Sequence, residues 1–192
     1  MGVELELKYR ASEASLLAIE AAFPQPGSTI AMKTVYYDTP DGALSARRYT
    51  LRKRLENGVS ICTLKTPAQQ GRNEWEVQCD SIAAAIPELC KLGGPEELLA
   101  LTAQGVAPIC GARFTRVAKV ITLPDATIEL ALDRGVLTGG GKEIPLCEAE
   151  AELKSGSQEA LVAFGKKLAA RFSLKAEARS KFRRALSLAK GD

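Results

Sequence analysis

Several short stretches of this sequence set charged side chains, in one case a hydroxyl and a charge, two residues apart. They are Glu4 and Glu6 followed by Lys8, then Arg52 and Arg54, Thr63 and Lys65, Glu74 and Glu76, and Glu148, Glu150 and Glu152. Glu129 and Asp133 repeat the pattern at a spacing of four. In an extended chain that spacing puts the charges on one face and residues such as Val3, Leu5, Leu7 and Tyr9 on the other. Carboxylates without His or Cys suit hard cations such as Mg²⁺ or Mn²⁺, which take oxygen ligands and are completed by substrate phosphates. Arg52, Arg54, Lys65, Lys8 and Arg116 offer fixed positive charge, and the arginine fork matches phosphate oxygens. A polyphosphate chelating a divalent cation satisfies both sets; a simple anion explains the bases and leaves the acids repelling it.

One such strand is a surface strand with its charged face in water. Six of them, with helices to cover the apolar side, imply a sheet whose charged face looks inward. A closed sheet has no edges, and about eight strands leave room for a ligand. The interior must be wet or counter-charged, because desolvating each ion costs several kcal/mol. The expected fold is therefore α+β: an eight-stranded antiparallel β-barrel with helices packed outside, in one domain over residues 1–192.

The elements that would position these residues follow from pattern and punctuation. Strands are expected at Val3–Arg10, Thr34–Asp38, Tyr49–Leu55, Ser60–Thr66, Glu74–Cys79, Arg113–Leu123, Ala126–Leu137 and Pro145–Lys154. Asn57-Gly58 is a hairpin turn signal, and Gly139-Gly140-Gly141 precedes the last strand. Ser12 and Ser157 cap helices, the second with Leu161, Val162, Phe164, Leu168 and Phe172 as its buried stripe. Helices are also expected over Ser81–Leu92, shortened or kinked by Pro87, over Pro95–Gln104, and from Glu177 to Ala189.

Composition bounds the class. With 46% hydrophobic and 26% charged residues the chain reads as soluble and globular, and no apolar run approaches the roughly 20 residues of a membrane span. The net charge of +3 gives no argument for nucleic acid. Cys62, Cys79, Cys90, Cys110 and Cys147 are widely spaced, with no CxxC and no His to pair with, so reduced packing thiols in a cytoplasmic protein are expected. Trp75 falls on the apolar side by parity, and Arg10 and Lys154 sit at strand ends, where charges are solvated. Glu74 and Glu76 either pair with neighbouring bases or bind metal; Asp133 is either a metal ligand or a partner of one.

These residues also carry a family likeness. Glu4-Leu5-Glu6-Leu7-Lys8 resembles the ExExK signature of the CYTH superfamily, the triphosphate tunnel metalloenzymes. The likeness continues through Tyr37-Asp38-Thr39, Leu51-Arg52-Lys53-Arg54, Thr63-Leu64-Lys65, Arg72-Asn73-Glu74-Trp75-Glu76, Arg113-Phe114-Thr115-Arg116, Glu129 to Gly135, Glu148 to Gly156, and Ser180-Lys181. Within the superfamily the chain is most similar to bacterial inorganic triphosphatases. The resemblance implies an eight-stranded tunnel that binds triphosphate and Mg²⁺ or Mn²⁺ and hydrolyses PPPi to PPi and Pi. It implies Glu4, Glu6, Glu148, Glu150 and Glu152 as metal ligands, with Asp133 a further ligand or tunnel acid beside Glu129. Lys8, Arg52, Arg54 and Lys65 would be catalytic phosphate grips joined by Arg116. Glu74 and Glu76 would line the substrate site, and Lys181, on a closing helix, would plug one end and touch the phosphates. The segment Phe182-Arg183-Arg184-Ala185-Leu186 departs from the Arg-Gly-Tyr ending of that subgroup. A histidine-rich helical domain that many bacterial members carry has no counterpart in these 192 residues.

The expected partner is a small anionic substrate, inorganic triphosphate, with neither nucleic acid nor membrane involved and the chain a monomer or homodimer. Thiamine triphosphatase, an ATPase and class IV adenylyl cyclase are alternatives on the same fold, though no cluster of inward aromatics offers a stacking site. A non-catalytic polyphosphate-binding module is the alternative of another class; acids intact on both metal strands speak against it.

Overall fold

The computed structural model describes residues 2–69 and 71–191, with side chains from Leu5 onward. Ten strands form one sheet: β1 (Gly2–Glu4), β2 (Glu6–Arg10), β3 (Gly27–Asp38), β4 (Thr50–Glu56), β5 (Val59–Pro67), β6 (Arg72–Gln78), β7 (Ala107–Thr122), β8 (Ala126–Gly139), β9 (Lys142–Gly156) and β10 (Lys175–Ala176). The helices are α1 (Glu13–Ala22), α2 (Ala43–Ala46), α3 (Ile82–Lys91), α4 (Glu97–Leu101), α5 (Gln158–Phe172) and α6 (Lys181–Lys190).

The hydrogen-bonded order is β1-β6-β5-β4-β3-β7-β8-β9-β2-β10, antiparallel at every pairing. Counting the N-terminal stretch once and leaving out the two-residue β10 returns the eight strands expected. The order is nonetheless open, and the N-terminal stretch is divided at Leu5 rather than continuous. Its first part pairs with β6, Glu4 opposite Arg72, and its second with β9, Glu6 opposite Glu152. Since Glu4 and Glu6 are two residues apart in the chain, the sheet is curled until its far ends share one segment.

Two hairpins set the registers. Asn57 and Gly58 both have positive φ (49° and 90°), as do Gly140 and Gly141 (56° and 74°). That is the backbone demanded by a two-residue turn matched to strand twist. Side chains of Ser12, Ser81, Ser157 and Ser180 each accept a backbone N–H in the first turn of the following helix.

Apolar residues on the outer face lie beneath helices, as the period of two requires. Ile128, Leu130, Leu132, Ala149 and Ala151 are buried against α1 and α5. Leu51, Cys62, Leu64 and Trp75 are buried with Ala85, Ile86 and Leu89 of α3 and Leu98 of α4. All five cysteines are unpaired.

Four expectations change. β3 begins at Gly27, seven residues before Thr34, because it pairs along its whole length with β7. Pro87 lies inside a continuous α3, while the second of that helix pair shrinks to the five residues of α4. The last helix starts at Lys181; Glu177 precedes it in extended chain, its N–H donating to the Lys8 carbonyl. Finally, α6 does not pack outside with the other helices but plugs one end, the place the family resemblance implied for the helix of Lys181. Its Phe182 and Ala185 are buried with Tyr36, Ala112, Phe114, Leu137 and Leu146, which share the face of the charged residues, so α6 stops one end of the curl. Bare Cα positions permit this approach. A Cβ on Gly139 would stand 2.4 Å from the Ala185 carbonyl oxygen and 2.8 Å from the Ala189 nitrogen.

Candidate active site

A cavity of about 490 Å³ is bounded by side chains from β2, β3, β4, β5, β6, β7, β9 and α6. One cavity shared by so many strands is possible only because the sheet curls. All six bases expected to grip phosphate line it: Lys8, Arg52, Arg54, Lys65, Arg116 and Lys181. Two of the expected acids, Glu6 and Glu150, line it with them. Strand parity delivers the five bases on strands and the start of α6 delivers Lys181, while antiparallel register sets neighbours beside one another. Lys8 lies opposite Glu150, Arg116 opposite Asp133, Asp133 opposite Glu148, and Lys65 opposite Glu74.

Bases and acids interleave by contact. Lys8 Nζ donates to Glu6 Oε1 at 2.6 Å. Burial lowers the Lys8 pKa, but the carboxylates of Glu6, Glu150 and Glu148 together outweigh it and hold the ammonium above its usual value. Lys65 Nζ stands 3.2 Å from Glu74 Oε2, and Arg52 stands 3.4 Å from Glu74 Oε1 and 3.7 Å from Glu76 Oε1. Glu76 also accepts from the Thr63 hydroxyl at 2.9 Å. Thus Glu74 and Glu76 pair with bases. Arg54 reaches Glu56 and, at 3.8 Å, Glu76, yet its Nε is buried with no hydrogen-bond partner. Burial and then the Arg52 guanidinium push the Arg54 pKa below its usual value. A buried cation beside a like charge, with an N–H unused, is stabilised by an arriving anion.

Deeper, Asp133, Glu148 and Glu150 each offer a carboxylate oxygen within 4.8 Å of the others. A cation can bridge that spacing, and a protein ammonium already does. Lys181 Nζ lies 2.8 Å from Asp133 Oδ2 and 2.7 Å from Glu150 Oε1, and it donates to Glu148 Oε1. Arg116 makes a two-pronged contact with Asp133 at 2.8 Å for each prong and also donates to Glu150, while Arg184 donates to Glu148 Oε2. Burial would raise the Glu150 carboxyl, but Lys181 and Arg116 outweigh it and hold it well below its usual range. For Glu148 burial prevails, pushing its pKa up to about 7 against the pull of Lys181.

The remaining expected residues lie apart. The Glu4 side chain is outside the described residues. Glu152 lies opposite Glu6 on one side and Glu129 on the other, and it pairs with Lys154 at 3.0 Å. Glu74 and Glu76, expected to line the substrate site, do not line the cavity, and neither do Glu129, Glu152 and the fully buried Asp133 and Glu148. Trp75 is in the outer core. Arg10, expected to be solvated, keeps half its surface but donates to the buried Glu177. Sequence reasoning overlooked Arg72, which lines the cavity and donates to the Arg48 and Lys65 carbonyls and to Thr50 Oγ1. Its parity with Glu74 and Glu76 was the available signal. Arg184 was overlooked too, although three residues from Lys181 is one helical face.

A CYTH domain model matches residues 2–186, and the chain belongs to that family. The inorganic triphosphatase of Haemophilus influenzae is 31% identical over 134 residues, which are 67% of this chain and 38% of that protein. The chain therefore matches well under half the length of that relative. Among solved structures, the PH1819 protein of Pyrococcus horikoshii superposes with a TM-score of 0.64 at 21% identity, covering 96% of this chain and 99% of that one. A protein from Hippeastrum, described as an adenylyl cyclase with a dominant triphosphatase activity, gives 0.64 at 16% identity over 100% and 96%. At such identities the likeness is one of fold. Among the described residues no helix is long and apolar enough to cross a membrane.

Proposed function

We propose that this protein hydrolyses inorganic triphosphate to pyrophosphate and phosphate with the help of Mg²⁺ or Mn²⁺. The curled sheet acts as a closed eight-stranded tunnel around the substrate. The observation that carries the proposal is the cavity lined by Lys8, Arg52, Arg54, Lys65, Arg116 and Lys181, with one Arg54 N–H buried and unused. Membership of the CYTH family and the likeness to a triphosphatase support a phosphoanhydride hydrolase or a related activity.

The donor set fits a hard divalent cation. Glu6 and Glu150 supply oxygen-only donors at the cavity wall, and Glu152 lies opposite Glu6. Glu6 and Glu150 would hold the metal, with Glu4 two residues from Glu6 in the chain and Glu152 opposite Glu6 just outside the cavity lining; bound there, it would neutralise phosphate charge and lower the pKa of a water. Arg52, Arg54 and Lys65 align the phosphate chain and offset charge spreading onto its oxygens. With no histidine in the chain, a carboxylate takes the water's proton. Against the expectation that no aromatics cluster inward, Tyr36, Phe114 and Phe182 line the cavity together, packed in the apolar cluster around α6, so the substrate panel below must separate inorganic from organic triphosphates. A small anionic substrate, cytoplasmic location and monomeric or dimeric state complete the proposal.

The test is release of phosphate from inorganic triphosphate, ATP and thiamine triphosphate with Mg²⁺ or Mn²⁺. Inorganic triphosphate should be turned over fastest, and Lys8→Ala or Arg52→Ala should each cut that rate at least tenfold. Unchanged turnover in both variants overturns the assignment. Release of cAMP from ATP would identify a cyclase, and binding without phosphate release would identify a non-catalytic module.

A further inference from the structure

The deepest acids, Asp133, Glu148 and Glu150, look by spacing like a metal site, but the contacts around them describe something else. Three carboxylates face three cations. Lys181 reaches all three acids, Arg116 grips Asp133 and Glu150, and Arg184 reaches Glu148. Asp133 and Glu148 have no exposed surface. A divalent ion at the centre of this set would displace the Lys181 ammonium, leaving a buried lysine without its counter-charge at a cost of several kcal/mol. The cations instead divide by direction: Lys181 and Arg116 line the substrate cavity, whereas Arg184 does not and meets the acids from behind.

We infer that Asp133 and Glu148 are positioning residues that fix Lys181 and Arg116 against the substrate, that Arg184 completes their charge balance, and that this trio binds a lysine ammonium where its spacing suggests a metal. The inference rests on the triphosphate reading for the identity of the substrate. The metal is then confined to carboxylates nearer the open end, Glu6, Glu152 and the cavity side of Glu150, which stands between the two sets. Three residues gain a role. Asp133 sets the plane of the Arg116 guanidinium by its two-pronged contact. Glu148 fixes where α6 delivers Lys181. Arg184 keeps Glu148 from facing Lys181 as an acid with one oxygen unsatisfied.

The experiment is a count of Mn²⁺ bound per chain by electron paramagnetic resonance, without any phosphate compound, for the wild type, Asp133→Asn, Glu148→Gln and Lys181→Met. Wild type and the two isosteric acid variants should bind equal equivalents with dissociation constants within threefold, and Lys181→Met, by vacating the trio, should bind one more. Loss of an equivalent in either acid variant overturns the inference, as does a folded Lys181→Met protein that gains none. A second measurement covers the chance that Lys181→Met does not fold. The KM for inorganic triphosphate should rise about tenfold in Arg184→Ala and return to within threefold of wild type in Arg184→Lys; an unrestored KM in the lysine variant overturns the charge-balance role. The Mn²⁺ count needs no turnover, so failure of the triphosphatase assay bears on the proposed function and leaves this test standing.

Discussion

At the scale of single residues, the site is a set of cations held in place by acids that also keep them apart. Arg52 and Arg54 are brought together by strand parity, with Glu74, Glu76 and Glu56 among the acids between and beside them. Glu76 is the acid that both arginines reach, so Glu76→Gln should leave the pair more repulsive and raise affinity for a bound polyanion severalfold while lowering stability; titration calorimetry and thermal melts together would show it. Glu177 makes a different prediction. Burial would raise its pKa, but the Arg179 N–H and the Arg10 guanidinium outweigh burial and hold it below the ordinary carboxylate value. An acid with a depressed folded pKa contributes stability above its unfolded value, near pH 4.5, and loses it as pH falls through the depressed one. Glu177→Gln should therefore cost about 1–3 kcal/mol at neutral pH. That difference should shrink in urea melts run below pH 4.

At the scale of elements, α6 decides the shape of the site. It is held at its start by Lys181 and Arg184 and along its length by Phe182 and Ala185, with the Tyr36 and Phe182 rings 5.1 Å apart. Gly139→Val would drive a side chain into the α6 backbone. It should lower the melting temperature by several degrees and weaken triphosphate binding more than tenfold, although Gly139 does not line the cavity. Binding at wild-type strength in that variant would show that α6 does not hold Lys181 in place. Much of this was legible beforehand. A period of two named the inward charges on β2, β4, β5, β6, β8 and β9, because alternation is a property of each strand taken alone. The position of α6 was legible only through the family resemblance, which put Lys181 on a plugging helix; pattern alone was silent, because a helix with an apolar stripe looks the same inside a curled sheet or outside it. The information lies elsewhere, in inward apolar residues such as Phe114, Leu137 and Leu146 and in the bare Cα of Gly139. The early start of β3 was hidden for a similar reason: Gly27 to Lys33 has little alternation, and its partner β7 supplies the order.

At the scale of the whole molecule, the sheet is fastened by its own first residues. β1 pairs with β6 and β2 with β9, so the N-terminal stretch joins the two ends of the strand order. Deleting residues 2–4 should leave β6 with an unpaired edge, which invites association between chains. The expected outcome is a lower melting temperature and a rise in light scattering at concentrations where the full chain stays clear. The stopper formed by α6 has a further consequence, for traffic. With one end shut, both products of the proposed reaction would depart through the doorway by which the substrate came, and whichever sits deeper would wait for the other. Pyrophosphate lingering there should compete with incoming substrate, so added pyrophosphate should raise the apparent KM for inorganic triphosphate.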